Sequence, residues 1–201
     1  MEPIRKPIQK IALISAKPRF PEQIGQIVMC ENALPLIGTI LRNHGYDVEV
    51  YIERIAPIKW DRVLNSDLVG FSAVTCTANR TYEMAQHIRT CRKINLVLGG
   101  PHASMLPNDA LTHFDYVVRD EGEETIIELL DALNQDGDLS KIGGLSYRNS
   151  QPRPVHNPSR RYLEKFETIP DLTLVDGYEK ITSLKLFSLR KHHTHFLETS
   201  R

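Results

Sequence analysis

The chain has few cysteines, no excess of charge of either sign and no long apolar run. Cys30, Cys76 and Cys91 are the only three cysteines in 201 residues. An odd number, widely spaced, fits neither a disulfide framework nor a CxxC metal knuckle, so reduced thiols are expected. Lys and Arg number 25 and Asp and Glu also 25. Without a basic excess the chain is a poor general nucleic-acid binder, because neutralising phosphates takes clustered cations. No apolar stretch approaches the roughly 20 residues that span a bilayer. The opening Met1-Glu2-Pro3-Ile4-Arg5-Lys6-Pro7 leads into a short apolar run and not into a secretory h-region. The expectation is therefore a cytoplasmic protein with no membrane and no nucleic-acid partner. GxGxxG and GxxxxGK[ST] are absent too, which removes the backbone geometry of dinucleotide and P-loop sites. Hydrophobic residues at 41% and charged residues at 25% are what a core-forming globular chain carries, which excludes a disordered one.

Over the first 135 residues, short β-rich runs alternate with segments of helical period. Lys10–Ser15, Tyr46–Ile52, Leu68–Val74, Asn95–Gly99 and Tyr116–Arg119 read as five strands. Between them, Ala33, Leu36, Ile37, Ile40, Leu41 and His44 recur at helical spacing, closed by Gly45 as a left-handed cap. Asn79–Cys91 reads as a second helix with Met84, Ile88 and Cys91 on one stripe, and Asn108–Thr112 as a short one. Glu123–Leu133 is the last, with Ile126, Leu129, Leu130 and Leu133 facing inward. Apolar strands separated by amphipathic helices predict an α/β, doubly wound (flavodoxin-like, Rossmann-type) sheet of five parallel strands covered on both faces. After Gln135-Asp136-Gly137-Asp138 the pattern changes. Gly143–Arg148 and Val155–His156 read as a hairpin, and from Pro158 an irregular tail of low periodicity follows. That tail is expected to be the most mobile region. The predicted units are residues 8–140, a ligand-binding domain, and 141–201, a hairpin and linker.

In a doubly wound sheet, ligands bind beyond the carboxyl ends of the strands. The loops after Ser15, Val74, Gly99 and Arg119 are therefore the candidates. Gly99, Gly100, Pro101 and His102 follow the fourth strand, and two glycines there let a bulky ligand approach the backbone. Glu121, Gly122 and Glu123 follow the fifth. Their acids complement a helix N-terminus and would repel a nucleotide phosphate, while accepting hydrogen bonds from neutral donors. Ser72, Val74, Thr75, Cys76 and Thr77 follow the third strand, with Thr77 or Asn79 as a possible helix cap. A lone histidine such as His102, beside a Gly-Pro turn, is more often a structural hydrogen-bonder than a ligand. Cys76 has no assignable His–Asp partner, and His192, His193 and His195 read as a solvated basic tail more than as a metal grip. No metal ligand and no catalytic residue is assigned.

Taken in series, these loops resemble one family. Ala33–Gly38 (ALPLIG) resembles a PPLG segment, and Leu68–Thr75 a strand ending in a Ser-x-x-Thr loop. VLGGPHASML at Val97–Leu106 is similar to GGPHAT, YVVRDEGEET at Tyr116–Thr125 to YVVRGEGEET, and Ile142–Arg148 to a GLxYR strand. Over roughly residues 10–150 the chain resembles the N-terminal cobalamin-binding domain of cobalamin-dependent radical S-adenosylmethionine enzymes, many of them methyltransferases. The resemblance implies cobalamin as the cofactor. Its detached dimethylbenzimidazole tail would lie between the strand ends, lined by Ser72, Val74, Gly99, Gly100 and Glu121–Glu123, with Thr75, Cys76 and Thr77 facing the corrin.

Two departures from the family shape the expectation. The family continues into an iron–sulfur domain with a CxxxCxxC motif, and this sequence stops at Thr199-Ser200-Arg201. S-adenosylmethionine and a four-iron four-sulfur cluster, which needs closely spaced thiolates, are thus expected only with a further C-terminal radical domain. This chain alone is not expected to be catalytic. Many cobalamin carriers also place DxHxxG after the first strand, where this chain reads Ser15-Ala16-Lys17-Pro18-Arg19-Phe20. The resemblance then implies base-off cobalamin with no protein histidine on cobalt. The alternatives are a stand-alone corrinoid carrier or sensor module, and a flavodoxin-like module for another cofactor. CxxxCxxC encoded past Arg201 would argue against the first, and yellow protein would favour a flavin.

Overall fold

The structure is a computed structural model that describes residues 7–18, 32–160 and 168–181. Cys30, Arg19, Phe20 and the His192-His193-x-His195 cluster lie outside the described residues. In chain order the elements are β1 (Lys10–Ser15), α1 (Ala33–Asn43), β2 (Asp47–Ile52), α2 (Trp60–Val63), β3 (Leu68–Ser72) and α3 (Thr75–Cys91). There follow β4 (Asn95–Gly99), α4 (Pro101–Met105), α5 (Pro107–Ala110), β5 (Tyr116–Val118) and α6 (Glu123–Gln135). The chain continues with β6 (Leu145–Tyr147), β7 (Val155–His156) and α7 (Tyr178–Ile181), with single 3-10 turns at Leu139–Lys141 and Leu172–Leu174.

The strands lie in the order β2-β1-β3-β4-β5-β6-β7. The first five are parallel, and β6 and β7 add antiparallel at the β5 edge. The sheet thus has seven strands where five were expected, because the hairpin joins it. β6 pairs through Tyr116, Val117 and Val118, and supplies the otherwise open edge of β5 with partners. Asn157 fastens the hairpin, its buried amide donating to the carbonyls of Leu139 and Ile142 at 2.7 and 2.8 Å.

Alternation along each strand sends side chains to two separate cores. Ile11, Leu13, Leu68, Val97 and Val118 face α1 and α6, with Leu34, Leu41, Ile126, Leu129 and Leu130 packed on them. Ala12, Ile14, Val69, Phe71, Leu96 and Leu98 face α3, α4 and α5, against Met84, Ile88, Ala103 and Ala110. The inward face expected of α6 is buried as read, and Gly45 takes φ +89° at the end of α1. Corrections fall at helix ends. Cys91, Ala33 and His44 are exposed, since each sits in a first or last turn or just past it, beyond the reach of the sheet. The helix after β3 begins at Thr75 and not at Asn79. The short helix read at Asn108–Thr112 is α5 at Pro107–Ala110, and α4 at Pro101–Met105 precedes it where a loop was expected, each opened by a proline at its first position.

The described part of the tail is docked, although its sequence shows no period. Val175 is buried and bridges Val50 at the β2 edge, and the Asp176 N–H donates to the Val50 carbonyl. Asp171 ties this segment to α1. Its N–H donates to Thr39 Oγ1, and its carboxylate accepts from Arg42 at 2.6 Å and from Thr173. Those bonds, led by the Thr173 hydroxyl, lower the Asp171 pKa from 3.8 to about 2. A carboxyl depressed in the folded state stabilises the fold above its unfolded value, and loses that contribution as pH falls through its folded value. The advantage of wild type over Asp171→Asn in urea unfolding should be about 1–2 kcal/mol near neutrality and shrink between about pH 4 and pH 2.

Candidate functional site

Parallel pairing puts the loops after β1, β3, β4 and β5 at one end of the sheet. β1 sends its crossover helix to one face and β3 sends α3 to the other, so a crevice opens where the strand order reverses. On the α1–α6 face, register makes Leu13, Gly70 and Val97 one row and Ser15, Ser72 and Gly99 the next. Side-chain size falls away toward the strand ends, so α1 and α6 have little to close upon. The outcome is a cleft of about 460 Å³, within the range of small-molecule sites.

Its floor is Gly70, Ser72 and Gly99, and its walls are Leu13, Val97 and Val118 from the strands with Leu34, Ile37 and Ile126 from the helices. Asp120, Glu121 and Glu123 line it at the α6 end, and Ser104 and Met105 at the α4 end. The cleft is thus apolar in depth and acidic at one side of its mouth, suited to an uncharged flat group with hydrogen-bond donors at its edge.

Close approach explains the glycines. A Cβ on Gly70 would lie 2.8 Å from Leu13 Cδ2, on the cleft side. Gly100 has φ +91°, and a Cβ there would lie 2.8 Å from the Ala73 carbonyl and 2.9 Å from Ser72 Oγ. The loop after β4 is stitched to β3 by Ala73 N–H to Gly99 O and His102 N–H to Ala73 O, both 3.1 Å. Asp120 holds φ +58° and donates its N–H to Ser104 Oγ at 2.8 Å, which joins the β5 and β4 loops. Asp and Asn are the non-glycine residues that enter this left-handed region most readily.

Of the residues singled out from sequence, Ser72, Gly99, Gly100, Pro101, Glu121, Gly122 and Glu123 line the cleft. Val74, Thr75 and Cys76 are exposed on the rim beside it. Thr77 is buried, its hydroxyl accepting from the Val74 N–H at 3.3 Å. His102 is also buried, bonded to Tyr82 and facing Thr75. Sequence reading passed over Gly70 and the apolar walls. A glycine inside LVGFS was the available signal, since strand interiors admit glycine where something must come close.

Fold and cleft together define a doubly wound α/β module with an open cleft at the carboxyl edge of its parallel strands. Residues 29–130 match the B12 binding domain family model; the match spans half of the chain, and the chain belongs to that family. It is similar, at 27% identity over 190 residues, to the uncharacterized methyltransferase PH0819 of Pyrococcus horikoshii, covering 88% of this chain and 39% of that protein. Over 65 residues it is 40% identical to the bacteriochlorophyllide d C-8(2)-methyltransferase of Chlorobaculum tepidum, covering 32% of this chain and 14% of that protein. The chain therefore spans well under half of these relatives. Its fold is similar to that of the cobalamin-dependent S-adenosylmethionine radical enzyme OxsB with aqua-cobalamin bound (TM-score 0.65, 18% identity, 77% of this chain and 23% of that one). It is likewise similar to the radical S-adenosylmethionine methyltransferase TsrM from Kitasatospora setae with cobalamin and a [4Fe-4S] cluster bound (TM-score 0.62, 22% identity, 81% and 31%).

The two adjacent glycines should respond differently to a methyl group. Gly100→Ala meets both a left-handed backbone and two close oxygens, and should cost about 2–3 kcal/mol. Gly99→Ala, with no atom nearer than 3.7 Å, should stay within about 1 kcal/mol of wild type. Urea unfolding of the two variants checks this.

Proposed function

We propose that this chain holds cobalamin, with the dimethylbenzimidazole tail detached from cobalt and seated in the α1–α6 cleft. We further propose that it is the methyl-carrier domain of a radical S-adenosylmethionine methyltransferase-like enzyme. The observation that carries this reading is the open apolar cleft of about 460 Å³ floored by Gly70, Ser72 and Gly99. Its glycine floor accepts a flat ring where a Cβ would intrude. Apolar walls desolvate that ring, which favours binding in proportion to the area buried. Glu121, Glu123 and Asp120 accept hydrogen bonds from hydroxyl or amide donors at the ligand's edge. Val74 and Met105, 46% and 78% exposed, offer an apolar rim on which a macrocycle can rest.

Bound cobalamin supplies a cobalt centre able to carry a methyl group. The chain's own part is to bind, to orient and to leave the lower face of the metal without a strong ligand. In support, Ser15-Ala16-Lys17-Pro18-Arg19-Phe20 has no histidine, and among the described residues no histidine lines the cleft. We assign residues 8–140 to the cofactor domain and 141–201 to a hairpin and linker toward a radical domain that would hold S-adenosylmethionine and the four-iron four-sulfur cluster. The methyltransferase names of two relatives support methyl transfer as the reaction class. The cytoplasmic assignment is supported by unpaired Cys76 and Cys91. Among the described residues, no helix is long and apolar enough to cross a membrane.

Incubation with hydroxocobalamin followed by desalting should leave a red to orange protein; colourless protein contradicts the reading. Gly70→Val should remain folded by circular dichroism and lose at least about tenfold in affinity, as a branched side chain fills the floor. Cob(II)alamin on the wild type should give a paramagnetic resonance spectrum without nitrogen superhyperfine splitting. Splitting would overturn the ligand-free assignment.

A further inference from the structure

His102 is 5% exposed and does not line the cleft, yet its ring links the protein surface to the rim of the site. Its Nε2 lies 2.9 Å from Tyr82 Oη, and the Tyr82 hydroxyl donates to Asp109 Oδ2 at 2.9 Å. Its Nδ1 lies 3.4 Å from Thr75 Oγ1. Thr75 opens α3 and is exposed at the carboxyl edge of the sheet. Four side chains from α3, α4 and α5 thus stand in one line, from Asp109 on the surface to Thr75 on the rim.

Donor and acceptor counting fixes the direction of this line. A carboxylate only accepts, so the single Tyr82 proton goes to Asp109. Burial and the hydrogen bond to Asp109 both raise the Tyr82 pKa, so the phenol keeps that proton. Tyr82 Oη can then only accept from His102, which places the ring proton on Nε2. In the neutral ring Nδ1 is left as an acceptor, and the Thr75 hydroxyl turns its proton inward to meet it. The lone pairs of Thr75 Oγ1 are what remain for the outside. Packing holds the line in place, with Tyr82 stacked on His113 at 4.1 Å and 19°.

We propose that the Asp109–Tyr82–His102 chain is a positioning device that presents Thr75 as a hydrogen-bond acceptor to the bound ligand and so selects a neutral amide N–H at that point of the rim. The inference rests on the cobalamin reading for its ligand, because the corrin periphery carries primary carboxamides. The polarity of Thr75 is a property of this chain alone. A threonine without the relay would rotate to donate or accept as the ligand required; one tied to His102 discriminates against acceptor-only groups.

Two measurements test the proposal. Nitrogen-15 spectra of histidine-labelled wild-type chain, without cofactor at pH 8, should show His102 as the Nε2–H tautomer. Tyr82→Phe, which removes the acceptor facing Nε2, should shift the ring to a tautomer mixture. An Nδ1–H or doubly protonated ring in the wild type overturns the proposal, and so does an unchanged tautomer in Tyr82→Phe. In hydroxocobalamin titrations, Thr75→Val should bind about tenfold more weakly, the loss of one hydrogen bond at an exposed rim. Thr75→Ser, which keeps the hydroxyl, should stay within about twofold of wild type. Equal affinity of wild type and Thr75→Val overturns the inference and leaves the cofactor reading intact. No binding by the wild type overturns the cofactor reading and the ligand half of this inference with it, whatever the tautomer spectrum shows.

Discussion

The site depends on a local shortage of side chains. β3 and β4, at the middle of the parallel sheet, carry Gly70, Ser72 and Gly99, while Ile11, Leu13, Leu68, Val97 and Val118 fill neighbouring positions of that face. Protein interiors are close-packed, and a missing side chain is normally covered by a neighbour moving in. Here the neighbours are helices fixed elsewhere. α6 is held by Leu129 and Leu130 against the sheet and by Arg160, which pairs with Glu124 and Glu128. α1 is held by Leu41 below and by the Asp171 segment outside. Neither can settle onto the glycines, so the space persists as a cleft.

The same scarcity governs the loops. Gly100 reverses the chain with a left-handed backbone where no Cβ could pass the Ala73 carbonyl, and this lets the β4 loop lie flat on the end of β3. Backbone hydrogen bonds from Ala73 and His102 then hold the two loops as one surface. Asp120 performs a related turn after β5 and is tied to Ser104. A rigid rim results from these few bonds, and it is the rigidity that gives a direction to hydroxyls such as that of Thr75. Positioning through a network of buried polar groups is effective only when every member is satisfied, as Tyr82 and His102 are.

Much of this was legible in the sequence, for physical reasons that also explain the remainder. Buried parallel strands advertise themselves as apolar runs, and α6 showed its inward stripe because four of its residues meet one flat sheet. The loop residues Gly99, Gly100 and Glu121–Glu123 could be found because topology fixes which ends of the strands are shared. Gly70 escaped notice, since a glycine inside an apolar run reads as a weakness of the strand until register places it opposite Leu13. The join of the hairpin to β5 was hidden because β6 and β7 are three and two residues long, too short for a period to mark which edge they meet. Docking of Val175 on β2 was equally hidden, for a segment that contacts the core through single residues has no periodicity to read.

The central claim is that ligand enters on the glycine floor between the sheet and α1–α6. Mapping of backbone amide shifts as diamagnetic cob(III)alamin is added to nitrogen-15-labelled protein tests it most directly. The largest changes should gather at Gly70, Ser72, Gly99 and Gly122, with Ile88 and Leu96 on the opposite face nearly still. Shifts concentrated on the α3 side, with Gly70 unmoved, would contradict the account.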